Sequence, residues 1–257
     1  MIDFNEMKDV AVEACLNAAE FLELENNPEV IEGETAGGIK TQQDIAVQKL
    51  INKKLEQTLI PILGEEMEKH NYRTTSWVVD PIDGSGWYSR GVPYATTAIS
   101  LFVENRPELT VINNFSTKQL LVARRDQGVV INQKVVSAST RKLSEAYIEI
   151  HGDDADSTDI GFKNKIWASG GCIVNQAAIG MSLMQLAQGS LDAIVVLPTA
   201  HLSPWDYLHG YCITQESGVL ISDEAKSIIS SITPMTVFAS NKTLSQEISA
   251  LIPDIYI

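Results

Sequence analysis

The sequence predicts a mixed fold, α+β in its first half and α/β in its second, and three observations carry that expectation. The first sixty residues hold two apolar patterns of helical period. Residues 96–136 hold short β-prone runs separated by turn signals. Beyond residue 141 strand-like and helix-like segments alternate.

The elements follow in order. From Asp3 to Leu24, Met7, Ala11, Ala14, Ala18 and Phe21 recur at helical spacing. Asn26 to Gly38 carries Pro28, Gly33, Gly37 and Gly38 and reads as a loop. A second helix opens at Thr41, with Val47, Leu50, Ile51, Leu55 and Leu59 on one face and Pro61 closing it. Trp77 to Asp80 is a short strand. Thr96–Glu104, Leu109–Phe115, Gln119–Arg125 and Val129–Val136 follow as β runs. The short connections between them predict an antiparallel meander. The second half reads as a strand over Ala146–Ile150, a helix over Cys172–Gln188, a buried strand over Leu191–Leu197 and a helix over Trp205–Ser217. Strands over Val219–Ser222 and Met235–Ser240 and a helix over Leu244–Leu251 complete it. The change of pattern places a boundary near residues 137–145, between an N-terminal unit, 1–140, and a C-terminal unit, 141–257.

The chain has 257 residues, 44% of them hydrophobic, which is enough for one large core or two small ones. With 19 basic and 33 acidic residues its net charge is −14. That surface repels nucleic-acid backbones and anionic lipid. A phosphorylated ligand would be repelled too, unless a metal or a helix N-terminus supplied local positive charge. Three cysteines, Cys15, Cys172 and Cys212, with no CxxC pair, fit neither a disulfide framework nor a zinc site. The acidic N-terminus does not read as a signal peptide, and no apolar run has the length of a membrane span. A cytoplasmic protein is expected.

Acids recur in four settings. Asp80-Pro81-Ile82-Asp83-Gly84-Ser85 follows an apolar strand, so two carboxylates three residues apart can converge on a hard divalent cation. A helical turn opening at Gly84 would aim free N–H groups at the same point. The same pattern also fits a strand end closed by an Asx turn. Gly64-Glu65-Glu66 fits a solvated loop as well as a ligand. Asp206, after Trp205, fits a helix N-cap. Thr41 and Asp44 fit a capping box.

Taken together these segments resemble the inositol monophosphatase family, a magnesium-dependent, lithium-sensitive phosphatase superfamily. Asp80 to Ser85 is similar to the family's D-P-I-D-G-T signature, and the likeness continues through Gly91-Val92-Pro93-Tyr94. Gly64-Glu65-Glu66 resembles its G-E-E loop and Thr41 to Asp44 its T-x-x-D. Trp205-Asp206, with Gly210 and Glu216-Ser217-Gly218, resembles the second signature. Ser169-Gly170-Gly171 stands where the family has a turn before a helix.

The resemblance implies a layered αβαβα sugar-phosphatase fold and a homodimer. It implies Mg²⁺, with Mn²⁺ as the alternative ion, held by Glu65, Asp80, Asp83, Asp206 and the Ile82 carbonyl. Gly84, Ser85, Gly170 and Gly171 would bind phosphate beside Asp206. Asp44, Glu65 and Ser85 would be catalytic, with Asp44 and the Ser85 hydroxyl orienting the attacking water. The implied partner is a small phosphorylated metabolite, not a nucleic-acid polymer or a membrane. The implied reaction is hydrolysis of an inositol or other sugar or polyol monophosphate. A 3′(2′),5′-bisphosphate nucleotidase-type activity is the alternative, and a catalytically silent family member is a further one.

The chain departs from the pattern at three places. Ser85-Gly86 stands for the family's Thr-Thr, keeping the hydroxyl. Trp87-Tyr88-Ser89-Arg90 replaces Asn-Phe-Val-His, and Arg90 could reach a second anion or lie in solvent. Thr199 stands where inositol-specific members have a Glu that binds sugar hydroxyls. His201 and His209 flank the Trp-Asp segment without an assigned role.

Overall fold

The computed structural model describes residues 2–25, 28–32, 39–70, 73–200, 202–223 and 236–253. Helix α1 (Phe4–Leu24) is capped by Asp3, whose side chain accepts from the N–H groups of Asn5 and Glu6. After β1 (Val30–Glu32) and β2 (Lys40–Thr41) comes α2 (Gln42–Leu55). Strands β3 (Ile62–Gly64) and β4 (Ser76–Asp83) lead into the one-turn helix α3 (Ser85–Tyr88). The meander then runs through β5 (Thr96–Val103), β6 (Arg106–Asn114), β7 (Gln119–Arg124), β8 (Gly128–Ile131) and β9 (Lys134–Val135). The second half comprises β10 (Tyr147–His151), α4 (Ser157–Ala168), β11 (Cys172–Val174), α5 (Ile179–Ala187) and β12 (Ala193–Val196). It ends with α6 (Pro204–Tyr207), α7 (His209–Ser217), β13 (Leu220–Asp223), β14 (Thr236–Ala239) and α8 (Lys242–Ser249).

Two sheets result. The first has the order β3-β4-β5-β6-β7-β8-β9 and is antiparallel except for the β3–β4 pair. The second has the order β11-β10-β12-β14-β13, with β10 parallel to both its neighbours and β14 antiparallel to both of its own.

Side chains alternate across each strand, and that alternation builds the layers. Val79, Ile99, Leu101 and Val111 face α1 and α2. Their neighbours Val78, Ala98, Phe102 and Ile112 face Leu183 of α5 and Ile213 of α7. Ile194 and Phe238 of the second sheet close that middle layer from the other side. Val195 and Val237 point away from it, to Phe162 of α4 and Leu244 of α8. The stack is therefore α, β, α, β, α, as the resemblance implied.

Several expectations need correction. The segment expected as one helix over 172–188 is strand β11, a loop and then α5. Its uniform apolar character hid the break. Helix α4 has little amphipathic periodicity and was not expected; Asp156 caps it by accepting from Thr158 and Asp159. The helix over 205–217 is two pieces, α6 and α7. Leu50 and Leu59 lie outside the core, Leu59 at a left-handed C-cap (φ 58°) with 91% of its surface exposed. Met235, at the start of the strand expected over 235–240, lies outside the described residues, as do positions 26–27 and 33–38 of the predicted loop.

Strand β4 carries the local feature that matters most. Asp80 pairs with Ala98 and Asp83 with Thr96, so three steps on β4 oppose two on β5. One extra residue there is a β-bulge, which bends the strand and re-aims its side chains. Pro81 sits in the bulge, where its missing N–H costs no ladder bond. Thr97 Oγ1 donates to the Pro81 carbonyl at 2.8 Å and holds the bulge in place.

Candidate active site

The bulged end of β4 opens on a cavity of about 690 Å³, within the usual range for small-molecule sites. Glu65, Asp80, Asp83 and Asp206 all line it, together with Ile82, Gly84 and Ser85. Glu65 follows β3, Asp80 and Asp83 come from β4, and Asp206 comes from α6 across the middle layer. Four carboxylates from three stretches of chain thus share one concavity.

Their electrostatics show the crowding. Burial first, then the charges of Asp206, Glu66, Asp44 and Asp83, push Glu65 up to about 8. Burial and Asp206 push Asp83 to about 7, against donation from Gly180 and Thr96. Asp206 is raised by burial to about 6, while the Ser203 N–H and the charge of His151 draw it down. Asp80 is held well above the ordinary carboxylate range by burial and then by Glu65, Asp83, Asp206 and Asp44. Its Oδ1 is buried and has no hydrogen-bond partner among the described residues.

An orphaned carboxylate oxygen among three other acids is a donor set suited to a hard cation such as Mg²⁺ or Mn²⁺. As the side chains stand, no three His, Cys, Asp or Glu side chains among the described residues are drawn into a ready coordination shell. Like charges oppose such closure until a cation offsets them.

Asp83, Asp206 and Asp44 are also held by hydrogen bonds within the chain. Asp83 Oδ2 accepts the Gly180 N–H at 2.6 Å and the Thr96 hydroxyl at 3.2 Å. Gly180 lies in the first turn of α5, whose dipole favours negative charge there. Asp206 is not the N-cap expected from the sequence: Ser203 is, and Asp206 sits three residues on, where its Oδ2 accepts the Ser203 N–H at 2.6 Å in a capping box while it lines the cavity. Asp44, 1% exposed, forms the expected capping box: its Oδ2 accepts from the Thr41 N–H at 2.7 Å and the Thr41 hydroxyl at 2.6 Å. Asp44 Oδ1 lies 2.6 Å from Ser85 Oγ, which is also 2.8 Å from the Ile82 carbonyl. One hydroxyl proton serves one of these acceptors at a time.

Gly84 is the N-cap of α3 at φ +83°, a backbone region that glycine occupies without strain. The first N–H groups of a helix have no intrahelical acceptor, so this turn presents donors at the cavity. Gly170 and Gly171 do not. They close α4, Gly170 against Ser144 and Gly171 against Ile166 and Leu143, and neither lines the cavity. The segment that does so is the loop before α5, with Ala177 in the left-handed region at φ 47°. Alanine there gives no sequence signal for such a turn; Asn175, whose side chain accepts the Ala177 N–H at 3.1 Å, was the available one.

The walls hold residues that the motif reading left aside. Trp87 lines the cavity, and its indole N–H donates to the Gln176 carbonyl, tying α3 to the second half. Trp205 lines it from α6 and stacks on His70, ring centres 4.7 Å apart. His151 lines it with its Nε2 3.2 Å from Oε1 of the fully buried Glu149. Thr199 turns its hydroxyl to Asp159 and accepts the Asp153 N–H at 3.2 Å. His209 is a core residue: it is buried, its Nδ1 lies 2.7 Å from Ser100 Oγ, and burial pushes it down to about 3. His201 lies outside the described residues.

Comparison with known proteins agrees with this geometry. The sequence profile of the inositol monophosphatase family matches residues 3–254. Inositol monophosphatase 2 of Solanum lycopersicum is 27% identical over 254 residues, spanning 93% of this chain and 95% of that protein. The crystal structure of extragenic suppressor protein suhB from Bartonella henselae superposes with a TM-score of 0.84 at 21% identity, over 97% of this chain and 99% of that one. An IMPase/NADP phosphatase complexed with Mg²⁺ and phosphate gives 0.83 at 15% identity, over 97% and 96%.

The class so defined is a metal-dependent phosphatase. The chain belongs to the inositol monophosphatase family. Among its described residues no helix is long and apolar enough to cross a membrane.

Proposed function

We propose that the protein hydrolyses a small phosphate monoester, an inositol or other sugar or polyol phosphate, with Mg²⁺ held by Glu65, Asp80, Asp83, Asp206 and the Ile82 carbonyl. The observation that carries this reading is the Asp44–Ser85 contact of 2.6 Å beside the acid-ringed cavity. When bound, the divalent ions supply charge neutralisation of the phosphate and lower the pKa of water.

The chain's own residues do the rest. The Ser85 hydroxyl donates its hydrogen bond to Asp44, which leaves the Ser85 lone pairs to accept from the attacking water and aim it. The N–H groups of Gly84 and Ser85 hold the non-bridging phosphate oxygens. Water oxygen bonds to phosphorus in line with the ester oxygen, the P–O ester bond breaks, and the proton that the water gives up ends on the leaving oxygen. The products are inorganic phosphate and an alcohol. The enzyme works as a cytoplasmic homodimer in this reading.

A second reading, a nucleotide-type bisphosphate substrate, is favoured by the cavity walls. Trp87 and Trp205 offer flat apolar faces to it, and Thr199, which stands in place of a hydroxyl-binding carboxylate, does not line the cavity and is engaged with Asp159. The test is a phosphate-release screen over sugar, polyol and nucleotide phosphates, with Mg²⁺ and then with chelator. Release that needs Mg²⁺ supports the proposal. No release from any ester, or release that survives chelation, overturns it.

A further inference from the structure

Strand β10 lies between β11 and β12, and its two faces differ in kind. Ile148 and Ile150 pack in one apolar cluster with Phe162 of α4 and Leu244 of α8. Glu149 and His151 alternate with them and face the middle layer. Glu149 is fully buried. Its Oε1 accepts the Gln176 N–H at 3.2 Å and its Oε2 accepts the Ser182 hydroxyl, so the carboxylate is fixed in place. The His151 Nε2 lies 3.2 Å from the same Oε1.

A carboxylate facing Nε2 favours the ring form with its proton on that nitrogen, which leaves the Nδ1 lone pair for another partner. His151 lines the cavity. Its Nε2 is sealed from solvent, whereas Nδ1 has no hydrogen-bond partner among the described residues and is open to the cavity. Glu149 does not line the cavity, so it acts there through His151.

Stability is a poor account of this pair. Two charged groups taken out of water lose about as much as their attraction returns, and apolar residues of similar volume serve a core as well or better. Ile148 and Ile150 are what the same strand carries where packing is the only demand.

We propose that His151, oriented by Glu149, is a specificity-determining residue that hydrogen-bonds a hydroxyl group of the leaving alcohol. This rests on the phosphatase reading above. A hydroxyl both donates and accepts, so it can satisfy the Nδ1 lone pair. An ester without that hydroxyl displaces water from Nδ1 and leaves the nitrogen unpaired, and a site built to hydrogen-bond a hydroxyl rejects such analogues.

The test compares glycerol 3-phosphate with propyl phosphate and with the two esters that each lack one of its hydroxyls, 3-hydroxypropyl and 2-hydroxypropyl phosphate. A second set is myo-inositol 1-phosphate against cyclohexyl phosphate. All are assayed with Mg²⁺. The wild type should prefer the fully hydroxylated ester by about tenfold or more in kcat/KM. His151→Phe should bring that ratio to near one, chiefly through KM. Because this change leaves Glu149 buried without its partner, it is repeated together with Glu149→Gln, which removes the buried charge; the double variant should show the same ratio. Glu149→Gln alone should lower the ratio part of the way. Each variant should keep the wild-type inhibition by inorganic phosphate, a readout that a general disturbance of the cavity would move. A wild-type ratio near one, a ratio that survives His151→Phe, or phosphate inhibition lost in step with the ratio overturns the proposal. If no ester is hydrolysed, the phosphatase reading fails by itself. Calorimetric binding of the same esters with Mg²⁺ then decides the His151 proposal: a preference for the hydroxylated member that is lost in His151→Phe supports it, and equal binding overturns it.

Discussion

Replacing Asp80 by Asn should make the metal-free protein more stable and abolish its response to magnesium. Asp80 is 2% exposed, one of its oxygens has no partner, and burial and four neighbouring acids hold its carboxyl well above the usual range. A folded-state pKa above the unfolded one means that the folded chain holds the proton more tightly. The associated stability is present below the unfolded pKa, near 4, and is lost as pH rises through the folded value.

Leaving a charged acceptor buried without a partner costs about 1–3 kcal/mol. At 2–4 °C per kcal/mol for a chain of this size, Asp80→Asn should raise Tm by roughly 2–12 °C at pH 7.5 in chelator. The gain should shrink as the pH is lowered to 5, toward the range where the wild-type carboxyl holds its proton. Magnesium at a hundredfold excess over Kd adds about 2.7 kcal/mol to a protein that binds it; the variant should gain less than a third of this. Scanning calorimetry at both pH values, with and without Mg²⁺, reads all four numbers. A variant less stable than wild type in chelator at pH 7.5, yet with the full magnesium shift, refutes the reasoning.

Three further outcomes follow from single side chains. Ser85→Ala should lower kcat about a hundredfold, in the range for a lost proton-transfer or water-orienting group, while Ser85→Thr keeps most of it; steady-state phosphate release within threefold of wild type for Ser85→Ala would remove Ser85 from the reaction. Gly84→Ala forces a side chain into φ +83° with its Cβ 3.0 Å from that of Ala178, so a loss of about 1–2 kcal/mol in urea unfolding is expected, with activity falling as the cradle shifts. Glu216 accepts the N–H groups of Asp126, Gln127 and Gly128 at 2.8, 3.2 and 2.8 Å; Glu216→Ala should cost about 1–3 kcal/mol and speed amide exchange at those three residues, and unchanged exchange would show the bonds to be idle.

The legible parts of the sequence were those where one physical demand dominates. The Val78/Val79 and Ile194/Val195 alternations belong to strands buried on both faces, and they read as apolar runs. Thr41, Asp44 and Asp80 to Ser85 were visible because a capping box and a strand end that closes on paired carboxylates have fixed spacings. Helix α4 escaped because its buried positions, Asp159, Phe162 and Ile166, include an acid that satisfies the Thr199 hydroxyl and the Asp153 N–H. Gly170 and Gly171 were misassigned because a glycine pair marks a turn without saying what the turn faces. Ala177 took the cavity-lining place through a left-handed backbone that no alanine announces. The reach of Trp87 to Gln176, 89 residues away, and the approach of Glu149 to His151 depend on tertiary placement and have no local signature.

The central claim, that acids from both halves of the chain share cations beside Ser85, is tested most directly by anomalous diffraction from crystals soaked in Mn²⁺. Peaks should lie within about 2.0–2.3 Å of carboxylate oxygens of Glu65, Asp80, Asp83 and Asp206, the distances hard-cation ligation requires, and the one ligated by Asp206 should vanish in Asp206→Asn. A cavity without any peak at millimolar Mn²⁺, or manganese bound only elsewhere on the chain, would contradict the account.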